Sequence, residues 1–151
     1  MSAEELEEMG PIDYVVIEWP PGKQPSGEGA PIVVDLVEKG IIRVLDVAFI
    51  TKGEDGSIAG IDIKDLGQDS EELLLFEGAS SGLLSEEDKT EAGEALEPGA
   101  SAALLVYENR WAAPFAVAMR RSGAQLVANG RIPVQAVIAA LEAAEEAAPA
   151  G

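Results

Sequence analysis

The sequence predicts an α+β fold: a ferredoxin-like sandwich made from two strand–helix–strand units. About five strands should lie in one mainly antiparallel sheet, with an acidic helical insertion and a C-terminal helix added. Three observations carry this. Apolar stretches rich in Val, Ile, Leu and Ala alternate with helical patterns. The punctuation "AP", then Gly nine residues after the Pro, occurs twice, at Ala30-Pro31 with Gly40 and at Ala113-Pro114 with Gly123. Each copy follows an apolar strand that closes on a glutamate, Glu18 or Glu108, and leads at once into another apolar stretch.

The elements follow in order. Residues 1–10 hold four glutamates and read as a mobile acidic tail, and residues 11–147 as a single domain. The tail has no apolar core of the kind a signal peptide carries. "IDYVVIEW" is β-branched and aromatic, hence a strand. Residues 20–29, "PPGKQPSGEG", form a loop; Gly22-Lys23 lacks the remaining residues of a phosphate-cradling loop. "APIVVDLVEKG" reads as a helix. Pro31 fits the first turn, where its missing N–H costs nothing, and Gly40 the left-handed residue past the end. Val33, Leu36 and Val37 share a face.

"IIRVLDVAFIT" reads as a strand buried on both faces. "KGEDG" is turn chemistry, and residues 57–65 alternate as a half-exposed edge strand. Residues 66–97 then form the acidic insertion: from Asp65 to Glu97 there are eleven acids and one lysine. "SEELLLFEGA" suggests a short helix. Ser85 followed by Asp88 is a capping box opening another, although Gly93 weakens that helix by about 1 kcal/mol relative to Ala. "SAALLVYEN" is a strand, "APFAVAMRRSG" the second punctuated helix, and residues 125–129 the fifth strand. Pro133 opens an Ala-rich final helix. The face of the sheet left free by the two repeat helices needs a cover from this last helix, the acidic helices or a second subunit.

Composition bounds the chemistry. The 151 residues carry ten basic and 28 acidic side chains, a net charge of −18, and neither Cys nor His. Thiolate chemistry, disulfides and the commonest general base and metal ligand are thereby absent. Phosphate backbones and anionic lipid repel such a surface, so neither nucleic acid nor membrane is an expected partner. No apolar run reaches membrane-spanning length, and a cytoplasmic setting is expected. No motif implies a cofactor or a metal; Asp55, Asp62, Asp65 and Asp69 lack the spacing of a calcium loop. Ser80-Ser81-Gly82 has no evident base partner.

One stretch departs from the acidic background. Between Asn109 and Leu141 lie Arg110, Arg120, Arg121 and Arg131, and no acid. Together with Asn109 and Trp111 these are the candidate ligand-binding residues, since a strand-to-helix junction and a cluster of guanidinium groups suit an anion. They also have structural roles open to them. Arg120 and Arg121 sit in a last helical turn, where cations favour the helix dipole. Trp111 is expected to pack beside Phe115 and Met119, and Tyr14 and Trp19 to serve core or interface.

"PIDYVVIEWP", "LVEKGIIRVLDVAFITKGEDGSI", "EALEPGASAALLVYENRWAAPF" and "SGAQLVANGRIP" together resemble the domain of unknown function family 6325, found mainly in actinobacteria. The likeness covers residues 10–141. "EPGASAALLVYE" is also similar to the broader domain of unknown function 1269 family. Its members often carry a Gly-rich apolar segment between the halves and have been called membrane proteins. Here the acidic stretch 66–84 takes that place, which argues against a membrane role. The resemblance implies a small bacterial cytoplasmic protein with a link to stress, and transfers no functional residue.

The expected function is that of a non-catalytic module acting by self-association, as a homodimer or higher homo-oligomer, or by binding a partner protein. Two alternatives stand beside it. One is a cofactor-independent enzyme or small-molecule binder with a pocket between sheet and helices, centred on Asn109, Arg110 and Trp111. The other is an acidic mimic of nucleic acid that binds basic proteins through residues 71–97.

Overall fold

The computed structural model describes residues 3–23, 25, 27–61, 79 and 81–147. In chain order the elements are α1 (Ala3–Glu7), β1 (Ile12–Trp19), α2 (Ala30–Glu38), β2 (Ile42–Lys52), β3 (Ile58–Ile61), α3 (Glu86–Glu94), β4 (Ser101–Asn109), a 3₁₀ turn (Arg110–Ala112), α4 (Ala113–Arg121) and α5 (Val134–Ala147). The architecture is α+β. Four strands form one antiparallel sheet in the order β1-β4-β2-β3.

The repeated punctuation is repeated structure. α2 and α4 are both nine residues long with Pro in the first turn. Gly40 and Gly123 take φ of +71° and +84°, a left-handed backbone that an L side chain would resist. Two bonds lock each C-terminus. In α2, Gly40 N–H donates to Val37 O and Ile41 N–H to Leu36 O, each at 3.0 Å. In α4, Gly123 N–H donates to Arg120 O and Ala124 N–H to Met119 O, again at 3.0 Å. Every residue in the second set is its counterpart in the first moved on by 83 positions, as Pro114 is from Pro31.

β4 lies between β1 and β2, and its small side chains let both faces of the sheet pack. On one face Val47, Phe49 and Ala103 meet Ala30 of α2, with Trp19, Val33 and Leu105 around them. On the other, Ile50, Ala102 and Leu104 meet Leu96 and Ala100, with Leu84 and Ala92 beside them. α3, from the acidic part of the chain, thus covers this face over Ile50, Ala102 and Leu104, while Ile12, Tyr14 and Val16 of β1 remain exposed on it. No residue of β2 is exposed; Ile42, Asp46, Val47, Phe49 and Ile50 are buried and the other six half-buried, in line with its apolar run.

The capping box of α3 is formed: Asp88 N–H donates to Ser85 Oγ at 3.0 Å, and Ser85 N–H to Asp88 Oδ2 at 2.8 Å. The carboxyl-terminal end of α3 is closed from the sheet. Lys52 Nζ donates to the carbonyls of Leu96 (3.0 Å) and Glu94 (3.3 Å), a cation at the negative end of the helix.

Two expectations are corrected. Residues 125–129 do not form a fifth strand; residues 122–133 have no regular structure beyond the turn and are exposed throughout. A strand needs a neighbouring edge, and α4 does not lie back over the sheet to deliver this segment to one. α5 exists as a helix, but all its residues are exposed and it covers neither face. The edge strand expected over 57–65 is found as β3, its residues 62–65 lying outside the described residues. The helix expected in "SEELLLFEGA" also lies outside them, apart from Ala79.

Candidate functional site

The arginine-rich segment begins where β4 ends, and the N-terminal residues are strapped across that point. Gly10 N–H donates to Glu108 Oε2 at 2.8 Å, and Asn109 N–H to Pro11 O at 2.7 Å. The approach is so close that a Cβ on Gly10 would overlap the carbonyl oxygen of Asn109 and sit 3.1 Å from the nitrogen of Ala113. Met9, beside it, is buried. Glu108 is buried too, and its other oxygen lies 3.0 Å from Arg43 Nε across the β2–β4 ladder. That contact is an ion pair without hydrogen-bond alignment, so Arg43 Nε is buried with no hydrogen-bond acceptor among the described residues.

Asn109 is fully engaged. Nδ2 donates to Pro11 O (3.1 Å) and Asp13 Oδ2 (2.9 Å), and Oδ1 accepts from Trp111 Nε1 at 3.3 Å. Arg131 joins the same cluster, donating to the Tyr107 hydroxyl at 2.8 Å and lying 3.7 Å from Asp13 Oδ2. The hydrogen bond with Tyr107, and then neighbouring negative charge, raise the pKa of Arg131 above its ordinary value. Asn109, Trp111 and Arg131 are thus brought together, around Asp13 and Tyr107 on one face of the β1–β4 pair.

The other candidates stand apart. Arg120 holds the strap, its guanidinium donating to the carbonyls of Glu7 (2.7 Å) and Met9. Arg121 lines an open concavity of about 350 Å³ with Glu4, Glu7 and Glu8. Arg110 is exposed in the 3₁₀ turn. Trp111 (69%), Phe115 (69%) and Met119 (39%) are all exposed, so the three form no buried cluster; α4 stands off the sheet. What this arrangement does in the structure is brace one end of the sheet.

Sequence reasoning missed a buried carboxylate. Asp46 is 2% exposed at a bulge in β2, between the registers of Val44 and Asp46. Oδ1 accepts from the backbone N–H groups of Val47 and Ser81, both at 2.9 Å, and Oδ2 from Leu84 N–H at 2.7 Å. Ser81 Oγ adds a bond to Leu45 O at 2.7 Å. The carboxylate therefore pins residues 81–84 onto β2 and sets where α3 begins. The signal was a lone acid amid the apolar run of β2, which demands buried partners.

Met9 and Gly10 of the strap, the sheet, α2, α3, α4 and α5 all fall within residues 8–147, the stretch matched by the model of a Family of unknown function (DUF6325). The chain belongs to this family. The DUF6325 match takes in the exposed residues 122–133 and α5 as well as the packed sheet, so these exposed parts are part of the family's domain. No curated protein and no solved structure matches the chain.

Proposed function

We propose that this DUF6325 protein is a non-catalytic module that works by self-association. One observation carries the reading: the folded sheet leaves an apolar edge and an apolar arm uncovered in the same chain. On β1, Ile12, Tyr14, Val16 and Ile17 are exposed, Tyr14 by 74%. On the arm, Leu126 (77%), Val127 (93%) and Ile132 stand in solvent, followed by Val134, Val137, Ile138 and Leu141 of α5. Ile12, Tyr14 and Val16 share one face of the sheet and Ile17 lies on the other; monomeric proteins rarely leave large apolar patches open, and free strand edges invite pairing.

The ferredoxin-like sandwich belongs to the same proposal. β1–α2–β2 is a complete strand–helix–strand unit, whereas β4–α4 lacks its closing strand. Filling the edge beside β1 would give the order expected for two interleaved units, with β3 appended. No helix of the described residues is long and apolar enough to cross a membrane.

Analytical ultracentrifugation over a range of concentrations tests the proposal. A defined dimer or larger closed assembly at micromolar concentration is expected. A monomer throughout that range would refute it.

A further inference from the structure

Resting on that reading, we propose that the partner is a second copy of the chain and that the two copies exchange arms. Residues 125–129 of each would pair antiparallel with the free edge of β1 in the other.

The internal repeat supplies the register. In the first unit, β2 follows α2 and pairs with β4, with Ile42 opposite Asn109, Arg43 opposite Glu108 and Val44 opposite Tyr107. The helices are related by a shift of 83 positions. β1 and β4 align as "YVVIEW" on "LLVYEN", with Glu18 matching Glu108. Carrying the β2–β4 pairs across places Gln125 opposite Trp19, Leu126 opposite Glu18 and Val127 opposite Ile17. The position to be filled is vacant: β1 has β4 on one side and no strand on the other among the described residues.

Geometry decides between one chain and two. In that register the arm must start at the Trp19 end of β1. Within its own chain it starts at the opposite end. Arg120 ties the end of α4 to the strap at Glu7 and Met9, and Ala124, Gln125 and Leu126 share a concavity with Pro11. β1 has eight residues, so its ends are separated by about 25 Å. Gln125 beside Pro11 cannot also face Trp19 of the same strand. A two-fold axis that sets two β1 strands antiparallel solves this, because each arm then leaves its own Pro11 end beside the Trp19 end of its neighbour. The contact is self-complementary, as a two-fold requires.

Charge favours the same occupant. The segment from Asn109 to Leu141 carries four arginines and no acid, whereas the remainder of the chain is strongly acidic. In the exchanged register Arg131 arrives opposite Tyr14 of the second copy, one residue along the strand from Asp13.

The absence of cysteine makes the test clean. The double variant Ile17→Cys/Val127→Cys replaces two exposed residues that the exchange sets directly opposite each other, at a spacing a disulfide accepts. Mild oxidation of the purified full-length protein, read by non-reducing electrophoresis and intact mass, is expected to give a covalent dimer. Neither single variant should give one. An internally bridged monomer would overturn the exchange, showing that the arm closes on its own chain. A dimer in native mass spectrometry with both thiols free would also overturn the exchange while leaving self-association standing. A monomer with both thiols free would overturn both. As a second reading, Val127→Pro in the full chain removes an N–H from the proposed ladder and should weaken the dimer about tenfold or more; an unchanged dissociation constant would count against the exchange.

Discussion

Gly93 of α3 lies so close to Ile58 of β3 that a methyl group on it would sit 2.5 Å from Cδ1 and 2.9 Å from Cγ2. The residue that looks like a weakness in the helix is the point at which the helix touches the sheet. Because a Cβ would meet both branches of Ile58, rotation of one terminal methyl cannot relieve the overlap. Gly93→Ala should therefore destabilise the fold. The helix gains about 1 kcal/mol in propensity, and overpacking costs about 1–3 kcal/mol. Urea unfolding should show a net loss, and combining the change with Ile58→Ala should give less than the sum of the single effects.

Asp46→Asn tests the buried carboxylate. Asp46 accepts from three backbone N–H groups through two oxygens. Asparagine keeps one acceptor oxygen and turns an N–H₂ donor towards a group that also donates. A loss of about 1–3 kcal/mol is expected in chemical denaturation. Hydrogen exchange should accelerate first at Ser81 and Leu84, which this side chain anchors.

The capping box carries a pH dependence. The N–H of Ser85, and then its hydroxyl, hold the Asp88 carboxyl below its ordinary value. An acid favoured in its ionised form contributes fully above the unfolded value, near pH 4, and the contribution is lost as pH falls through the lower folded value. The start of α3 should thus loosen on the acid side and remain indifferent to pH between 6 and 8. The Asp88 side-chain signals, followed by NMR, should titrate below about pH 3.9 and move upward in Ser85→Ala.

Arg120→Ala should free the strap. It removes the guanidinium that holds the carbonyls of Glu7 and Met9, while the Gly10 bond to Glu108 remains. Expected are a loss of about 1–3 kcal/mol and faster proteolysis ahead of β1. Unchanged cleavage there would argue against its role.

Local rules of the sequence reached the elements whose causes are local. Pro31 and Gly40, Pro114 and Gly123, and Ser85 with Asp88 each carry their structural reason within a few residues, and the two helices and the capping box stand where they were expected. The apolar run of β2 likewise announced its burial. What failed depended on distant neighbours. The pattern of residues 125–129 suits a strand, but whether a strand forms depends on an edge supplied elsewhere. Trp111 has the composition of a packing residue, yet its surroundings depend on where α4 lies. The candidate site was legible only as a list of residue types. That Asn109 and Arg131 converge on Asp13, with Trp111 bonded to Asn109, while Arg120 serves the strap follows from contacts across nearly the whole chain.

That span has a temporal side. Gly10 and Glu108, joined by one hydrogen bond, are separated by 98 residues, and among the described residues the strand that pairs with β1 is β4, made late in the chain. At ordinary rates of synthesis the wait is about 5–20 s. Throughout it, the apolar residues of β1 remain without their strand partner in an emerging chain. During that interval the glutamates just ahead of β1, and then the acids between β2 and β4, give emerging chains a like charge, which is repulsive. The acidity of this protein is thus in place before there is any folded surface for it to decorate.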